Sequence, residues 1–260
     1  MLEGKSILSF RQIGDRSSEI TLVFLHGSTM TKEGMLPLAE KFEKYNCIVF
    51  DLTAHGESAG EEPEEVKTFA EDVEESVSYL QQSGVIGERI VVLGYSMGGA
   101  ITCELAIRKK LKLEGIVFLS SGADLKHHTP AVDELKQVPV EQFSTSDILE
   151  YLFGTDTPEE DKKVIRDSFD STKVADAIGY GDLMASNRYD RLEASKEIDV
   201  PTLLVHGSDD VIVLPMAAVE TWKAIPGSEL LMIPYKGHAA IMEDGETVKN
   251  KIMSFLEKLI

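Results

Sequence analysis

Ile90-Val91-Val92-Leu93-Gly94-Tyr95-Ser96-Met97-Gly98-Gly99-Ala100-Ile101 decides how this chain is read. The first four residues are apolar and mostly β-branched, which suits a buried strand, and Gly94 ends the run. Helical spacing begins at Ala100 and Ile101, continues through Leu105 and Ala106, and reaches Lys109. Between the two sits Gly94-x-Ser96-x-Gly98, a pattern in which a serine occupies a very tight strand-to-helix turn. Flanking glycines keep neighbouring side chains from clashing there. The hydroxyl then projects above the sheet, and the helix N-terminus behind it directs amide groups toward developing negative charge. Five residues alone are weak evidence. The strand before them and the helix after them supply the context that the pattern needs.

The same rhythm extends in both directions. Ile20–Leu25, Cys47–Leu52, Gly115–Ser120, Val200–His206 and Glu229–Ile233 read as short buried strands. Helical patterns cover Leu36–Tyr45, Pro63–Ser83 and Thr247–Ile260. Strands alternating with helices predict a mostly parallel sheet covered on both faces. Only Ser6–Gln12 reads as a strand ahead of Ile20, so a sheet of seven strands is expected. Between Asp124 and Asp199 strand patterns vanish and charge rises. Thr157-Pro158-Glu159-Glu160 combines an N-cap, a first-turn proline and a capping-box glutamate. Residues 125–198 therefore read as a helical cap or lid inserted into a core made of 1–124 and 199–260.

A serine nucleophile on such a turn needs a carboxylate and a histidine after it in the chain. Val200–His206 runs into Gly207-Ser208-Asp209-Asp210. Either aspartate could orient an imidazole; Asp210 is preferred and Asp209 stays open. Gly237-His238 follows the last strand, and a loop histidine there can bridge acid and serine as general base. Of the six histidines, His26 and His55 precede Ser96 and read as structural. His206 sits at a strand end and reads as packed, while His127 and His128 open the inserted segment and read as solvated or cap-packing. An oxyanion also needs two backbone donors. Met97 N–H directly after the serine is one. The loop His26-Gly27-Ser28-Thr29 supplies the other, with Ser28 first and Thr29 second.

Composition narrows the function classes. Hydrophobic residues make up 43% of 260, enough for a large core. Lys and Arg number 26 against 45 Asp and Glu, a net charge of −19 that repels nucleic acid and anionic lipid. No apolar run approaches the ~20 residues of a membrane span. The N-terminal Met1-Leu2-Glu3-Gly4-Lys5 lacks an apolar signal region, so a cytoplasmic location is expected. Cys47 and Cys103 sit among apolar neighbours, and no Cys/His spacing suggests a metal.

Together, Phe24-Leu25-His26-Gly27, Asp51-Leu52-Thr53-Ala54-His55-Gly56-Glu57-Ser58, Gly94–Gly99, His206–Asp210 and Gly237-His238 resemble the α/β-hydrolase superfamily. The likeness is to its compact cap-bearing esterases and cofactor-free haloperoxidase-like members. It implies the α/β-hydrolase fold and hydrolysis through an acyl-enzyme on Ser96, without metal or cofactor. In that reading His238 is the base, Asp210 its orienter, and Met97 and Ser28 the oxyanion donors. Arginine-glycine is usual where this chain has Thr53-Ala54, a departure that concerns loop packing. The substrate expected is a small to medium acyl ester. Apolar residues of the inserted segment (Leu135, Val138, Phe143, Ile148, Leu149, Tyr151, Leu152, Phe153) are candidates for an acyl pocket. Thioester, amide and lactone hydrolysis, lyase or acyltransferase chemistry, and a catalytically silent ligand receptor use the same fold. Oligomeric state is not legible.

Overall fold

The computed structural model describes residues 7–259. Seven strands form one sheet: β1 (Phe10–Gly14), β2 (Ile20–Leu25), β3 (Asn46–Phe50), β4 (Arg89–Tyr95), β5 (Leu113–Leu119), β6 (Thr202–Gly207) and β7 (Glu229–Ile233). Their order is β1-β3-β2-β4-β5-β6-β7. All neighbours pair in parallel except β1, which runs antiparallel to β3. Every residue of β2, β3 and β6 is buried. That is why these strands read as continuous apolar runs and not as alternating ones, because helices cover both faces. Leu22, Phe24 and Phe118 are fully buried, each contributing about 1.5–3 kcal/mol by burial.

The strand order places the site. From β2 the chain steps outward to β3, then crosses back to lay β4 on the other side of β2. The order therefore reverses between β2 and β4, and the loops leaving their C-terminal ends open side by side. One of those loops is His26–Thr29, and the other begins at Ser96.

The first helix is α1 (Leu36–Ala39), which continues as a single 3-10 turn, Glu40–Phe42, so the expected Leu36–Tyr45 helix is two short pieces. Asn46 already belongs to β3, which leaves no room for more turns. α2 (Val66–Gln82) buries Val66, Phe69, Ala70, Val73, Val77 and Leu80, the positions whose spacing announced it. α3 (Met97–Arg108) is buried on nearly all sides, as a helix sandwiched between the sheet and its neighbours must be. The strand read over Ser6–Gln12 is observed at Phe10–Gly14, with Ser6 outside the described residues.

Between β5 and β6 lie α4 (Pro130–Leu135), two 3-10 turns, α5 (Glu159–Thr172), α6 (Asp176–Asn187) and α7 (Leu192–Ser195), with no strand among the described residues. A single bridge, Asp124 to Asp190, ties the start of this segment to its end. The segment has a small apolar cluster of its own, Val132, Phe143, Leu183 and Met184. α5 starts at Glu159 without a side-chain cap. The expected cap, Thr157, lies one residue ahead of the observed N-cap, Pro158, and donates its hydroxyl to Glu243. After β6 comes α8 (Pro215–Ala224), unforeseen although Pro215 is a first-turn proline. α9 (Ala240–Glu243) and α10 (Gly245–Leu256) close the fold, the last capped by Asp244 accepting from Thr247 N–H.

Candidate active site

Ser96 links β4 to α3 with φ 51° and ψ −116°, a conformation that non-glycine residues rarely hold. Its surroundings over-determine it. Ser96 N–H donates to Leu119 O at 2.9 Å, and its carbonyl accepts from Gly99 N–H at 2.8 Å and Ser121 Oγ at 2.7 Å. A Cβ at Gly98 would run into the carbonyl oxygens of Leu25 and His26. Glycine there lets α3 start directly against the end of β2. The side chain of Ser96 stays accessible at the sheet's upper edge.

His238 sits in the loop after β7, and its ring is almost fully buried. Its carbonyl accepts from Ser120 Oγ at 2.8 Å and Tyr95 Oη at 3.3 Å. The preceding Gly237 N–H donates to Glu243 at 2.7 Å. Nδ1 lies 2.8 Å from Asp210 Oδ2. A carboxylate can only accept, so that nitrogen carries the proton and Nε2 is the nitrogen that remains to act as a base.

Asp210 is fully buried, and its second oxygen accepts from Ile212 and Val213 N–H, both at 2.9 Å. Burial would raise its pKa. The charges and hydrogen bonds of His238 and His206 outweigh that and bring it down to about 2. Asp209 points elsewhere: its carboxylate accepts from Thr155 N–H at 3.1 Å and from the hydroxyls of Thr155 and Ser208. The carboxylate brought to His238 is Asp210's.

The His26–Thr29 loop lies beside Ser96. A Cβ at Gly27 would come within 3.1 Å of Ser96 Cβ, so glycine permits the approach. Thr29, at φ 68°, has its N–H engaged by Asp182 Oδ2 at 2.9 Å. Of the two residues considered in this loop, Ser28 is the one whose amide is not so engaged. Ser28, Thr29, Tyr95, Ser96 and His238 all face one cavity, roofed by Ile148, Leu152, Phe169, Leu183 and Ile212. Its volume is about 30 Å³, room for about two waters.

Several contributors went unread in the sequence. Ser120-Ser121 fix the carbonyls of His238 and Ser96, and their position at the end of β5 was the available signal. Glu243, from α9, accepts from Gly154 N–H at 2.9 Å as well as from Gly237 and Thr157, joining the inserted segment to the histidine loop. Two of the other histidines are occupied elsewhere. His127 is half exposed and pairs with Asp124, and His128 pairs with Glu220. Among the described residues these histidines, with Asp124, Asp190 and Glu220, form the groups that could hold a metal ion. They lie where the inserted segment leaves the core, and Ser96 is not among them.

This fold, with its serine on a strand-to-helix turn at the switch point, defines an α/β-hydrolase. Residues 16–245 match the family described as serine aminopeptidase, S33, and the chain belongs to that family. A lipase-esterase related protein from Clostridium acetobutylicum superposes with a TM-score of 0.85 at 26% identity, covering 96% of this chain and 100% of the other. Lipase 1 of Psychrobacter immobilis is 25% identical over 230 residues, 85% of this chain and 72% of its own. The proline iminopeptidase PfmaB of Pestalotiopsis fici is 23% identical over 236 residues, 83% of each. Esterases, lipases and peptidases on one frame place this chain among the α/β serine hydrolases. No helix among the described residues is long and apolar enough to cross a membrane.

Proposed function

We propose that the protein is a carboxylic ester hydrolase that cleaves small to medium acyl esters through an acyl-enzyme on Ser96. The observation that carries this is the meeting of Ser96 and the His238–Asp210 pair at one apolar-roofed cavity. His238 Nε2 takes the Ser96 proton as Oγ bonds to the ester carbonyl carbon, and the carbonyl electron pair moves onto oxygen. Met97 and Ser28 N–H receive that oxyanion. Collapse re-forms the carbonyl and breaks the bond to the leaving alkoxide, which takes the proton from His238. Water then repeats the sequence on the acyl-enzyme and releases the acid. Asp210 stays ionised throughout and holds the imidazole in the useful tautomer.

Residues 125–198 act as the cap in this reading, and its apolar face receives the acyl or alcohol group. A lipase and a lipase-esterase related protein among the similar proteins support an ester substrate. Labelling with a fluorophosphonate probe tests the nucleophile. Wild type should label and Ser96→Ala should not; an unlabelled wild type favours a silent receptor. A series of p-nitrophenyl esters tests the substrate class, and turnover of none of them would remove the esterase reading.

A further inference from the structure

Asp182, on α6 of the inserted segment, is fully buried against the core. Its Oδ2 accepts Thr29 N–H at 2.9 Å and faces His55 Nε2, also at 2.9 Å. The other nitrogen of His55 lies 2.8 Å from Thr53 O. Both nitrogens of His55 thus face acceptors, and with Asp182 ionised the ring carries both protons. Burial works against that charge, but the hydrogen bond and charge of Asp182 outweigh it and raise the His55 pKa.

A buried ion pair costs desolvation and is a poor way to gain stability alone. Its placement suggests another use. Thr29 is held in a left-handed conformation, and the inserted segment grips it three times over. Asp182 takes its N–H, Val174 N–H donates to its carbonyl at 3.0 Å, and Gly179 packs against its side chain. The Ser28 and Ser186 hydroxyls meet at 3.3 Å. The peptide fixed by these contacts adjoins the Ser28 amide.

We infer that Asp182 is a positioning residue for the oxyanion donor loop, so that the inserted segment completes the anion-binding site of the core when it is seated on His55 and Thr29. This rests on the hydrolase reading of Ser96. Loss of the acceptor frees the Thr29 peptide, and Ser28 N–H no longer points at a fixed spot. Asn at 182 preserves the geometry without the charge. Both contacts fall on Oδ2, so the Asn carbonyl oxygen placed there can accept Thr29 N–H and the Nε2–H of a neutral His55 together.

The test is hydrolysis of p-nitrophenyl butyrate, with kcat and KM separated, alongside fluorophosphonate labelling of wild type. In Asp182→Ala, kcat should fall about 100-fold, the effect of losing one oxyanion donor, with KM changed by less than about threefold. Asp182→Asn should restore kcat to within about fivefold of wild type, because the orienting bond survives. Should Asp182→Ala not fold, His55→Leu/Asp182→Leu removes both charges together, which buried pairs often tolerate, and should show the same fall in kcat. Folded Ala or double-Leu variants with wild-type kcat overturn the inference, as does an Asn variant no better than Ala. A wild type that fails to label overturns the hydrolase reading and this inference with it. A labelled wild type with unimpaired variants overturns the inference alone.

Discussion

His206 Nε2 lies 3.1 Å from Asp210 Oδ2, the same oxygen that faces His238 Nδ1 at 2.8 Å. The two imidazoles share one carboxylate oxygen, and His206 is also 2.9 Å from Val213 O. His206 is therefore more than a packed strand-end residue. It pins Asp210 from β6 while Ile212 and Val213 N–H pin it from its own turn.

Removing His206 should accordingly cost far less than removing the acid. In His206→Phe, Asp210 keeps both turn amides and His238, and kcat should drop by about tenfold or less. Asp210→Asn should drop it by orders of magnitude, about 10⁴-fold when the tautomer is lost. Asp209→Asn, which disturbs only the Thr155 and Ser208 contacts, should remain near wild type. Steady-state kinetics on one ester ranks the three. A ranking with Asp209→Asn lowest would reassign the acid.

Acid stability gives an independent view of the same carboxylate. Its pKa is about 2 in the fold against an ordinary 3.8. A depressed folded value means stability that is present above about pH 4 and lost as pH falls toward 2. The difference corresponds to about 2 kcal/mol for a fully buried group. Urea unfolding of wild type and Asp210→Asn at pH 5 and pH 2.5 should show wild type losing more over that interval. Parallel losses would mean that Asp210 is not held ionised.

Thr53-Ala54 departs from the arginine-glycine that the resemblance implies, and the structure shows where the departure bears. Ala54 has φ 67°, a left-handed conformation that costs a non-glycine residue about 1–2 kcal/mol. Thr53 Oγ1 meanwhile donates to Asp72 of α2. Ala54→Gly should relieve the strain and lose part of the gain to unfolded-state entropy, for a net stabilisation of about 0.5–1 kcal/mol. Thermal unfolding reads it directly, and a lower midpoint would contradict the strain.

What was legible in the sequence is what local chemistry dictates. The strands around Ser96 follow from apolar runs, and the order Ser96, Asp210, His238 follows from chain direction. Choosing Asp210 over Asp209 depended on which carboxylate the turn after Gly207 directs inward, a matter the sequence left open. The supports were not legible because they come from distant elements. Ser120 grips His238 across 118 residues, and Asp182 meets His55 across 127. Thr157 looked like a cap because Pro158 read as the first helical residue, whereas Pro158 is itself the N-cap of α5.

Glu62 offers a test of the charge around Asp182. Burial, and then the negative charge of Asp182, raise its pKa from 4.5 to about 7. A raised carboxyl binds its proton more tightly in the fold, so it costs stability as pH rises from about 4.5 through 7. Glu62→Gln removes that cost. The variant's melting temperature should gain on wild type between pH 5 and pH 8, with little difference at pH 5. A constant offset across the range would show that Glu62 titrates normally.

The roof over Ser96 sets the last expectation. A cavity of about 30 Å³ does not hold an acyl chain, yet a cleft of about 280 Å³ lies alongside, lined by Val132, Leu135, Val138 and Tyr151. Ile148, Leu183 and Ile212 line both spaces and so form the wall between them. Of the proposed acyl-pocket residues, Phe143 instead packs in the segment's own cluster and Leu149 in the main core. Thinning the wall with Ile148→Ala should join the spaces and let a longer chain continue into the cleft. Each buried methylene contributes about 0.8 kcal/mol, so two more would raise kcat/KM for octanoyl over acetyl esters by about tenfold relative to wild type. Unchanged chain-length preference in a folded Ile148→Ala protein would separate the cleft from the substrate path.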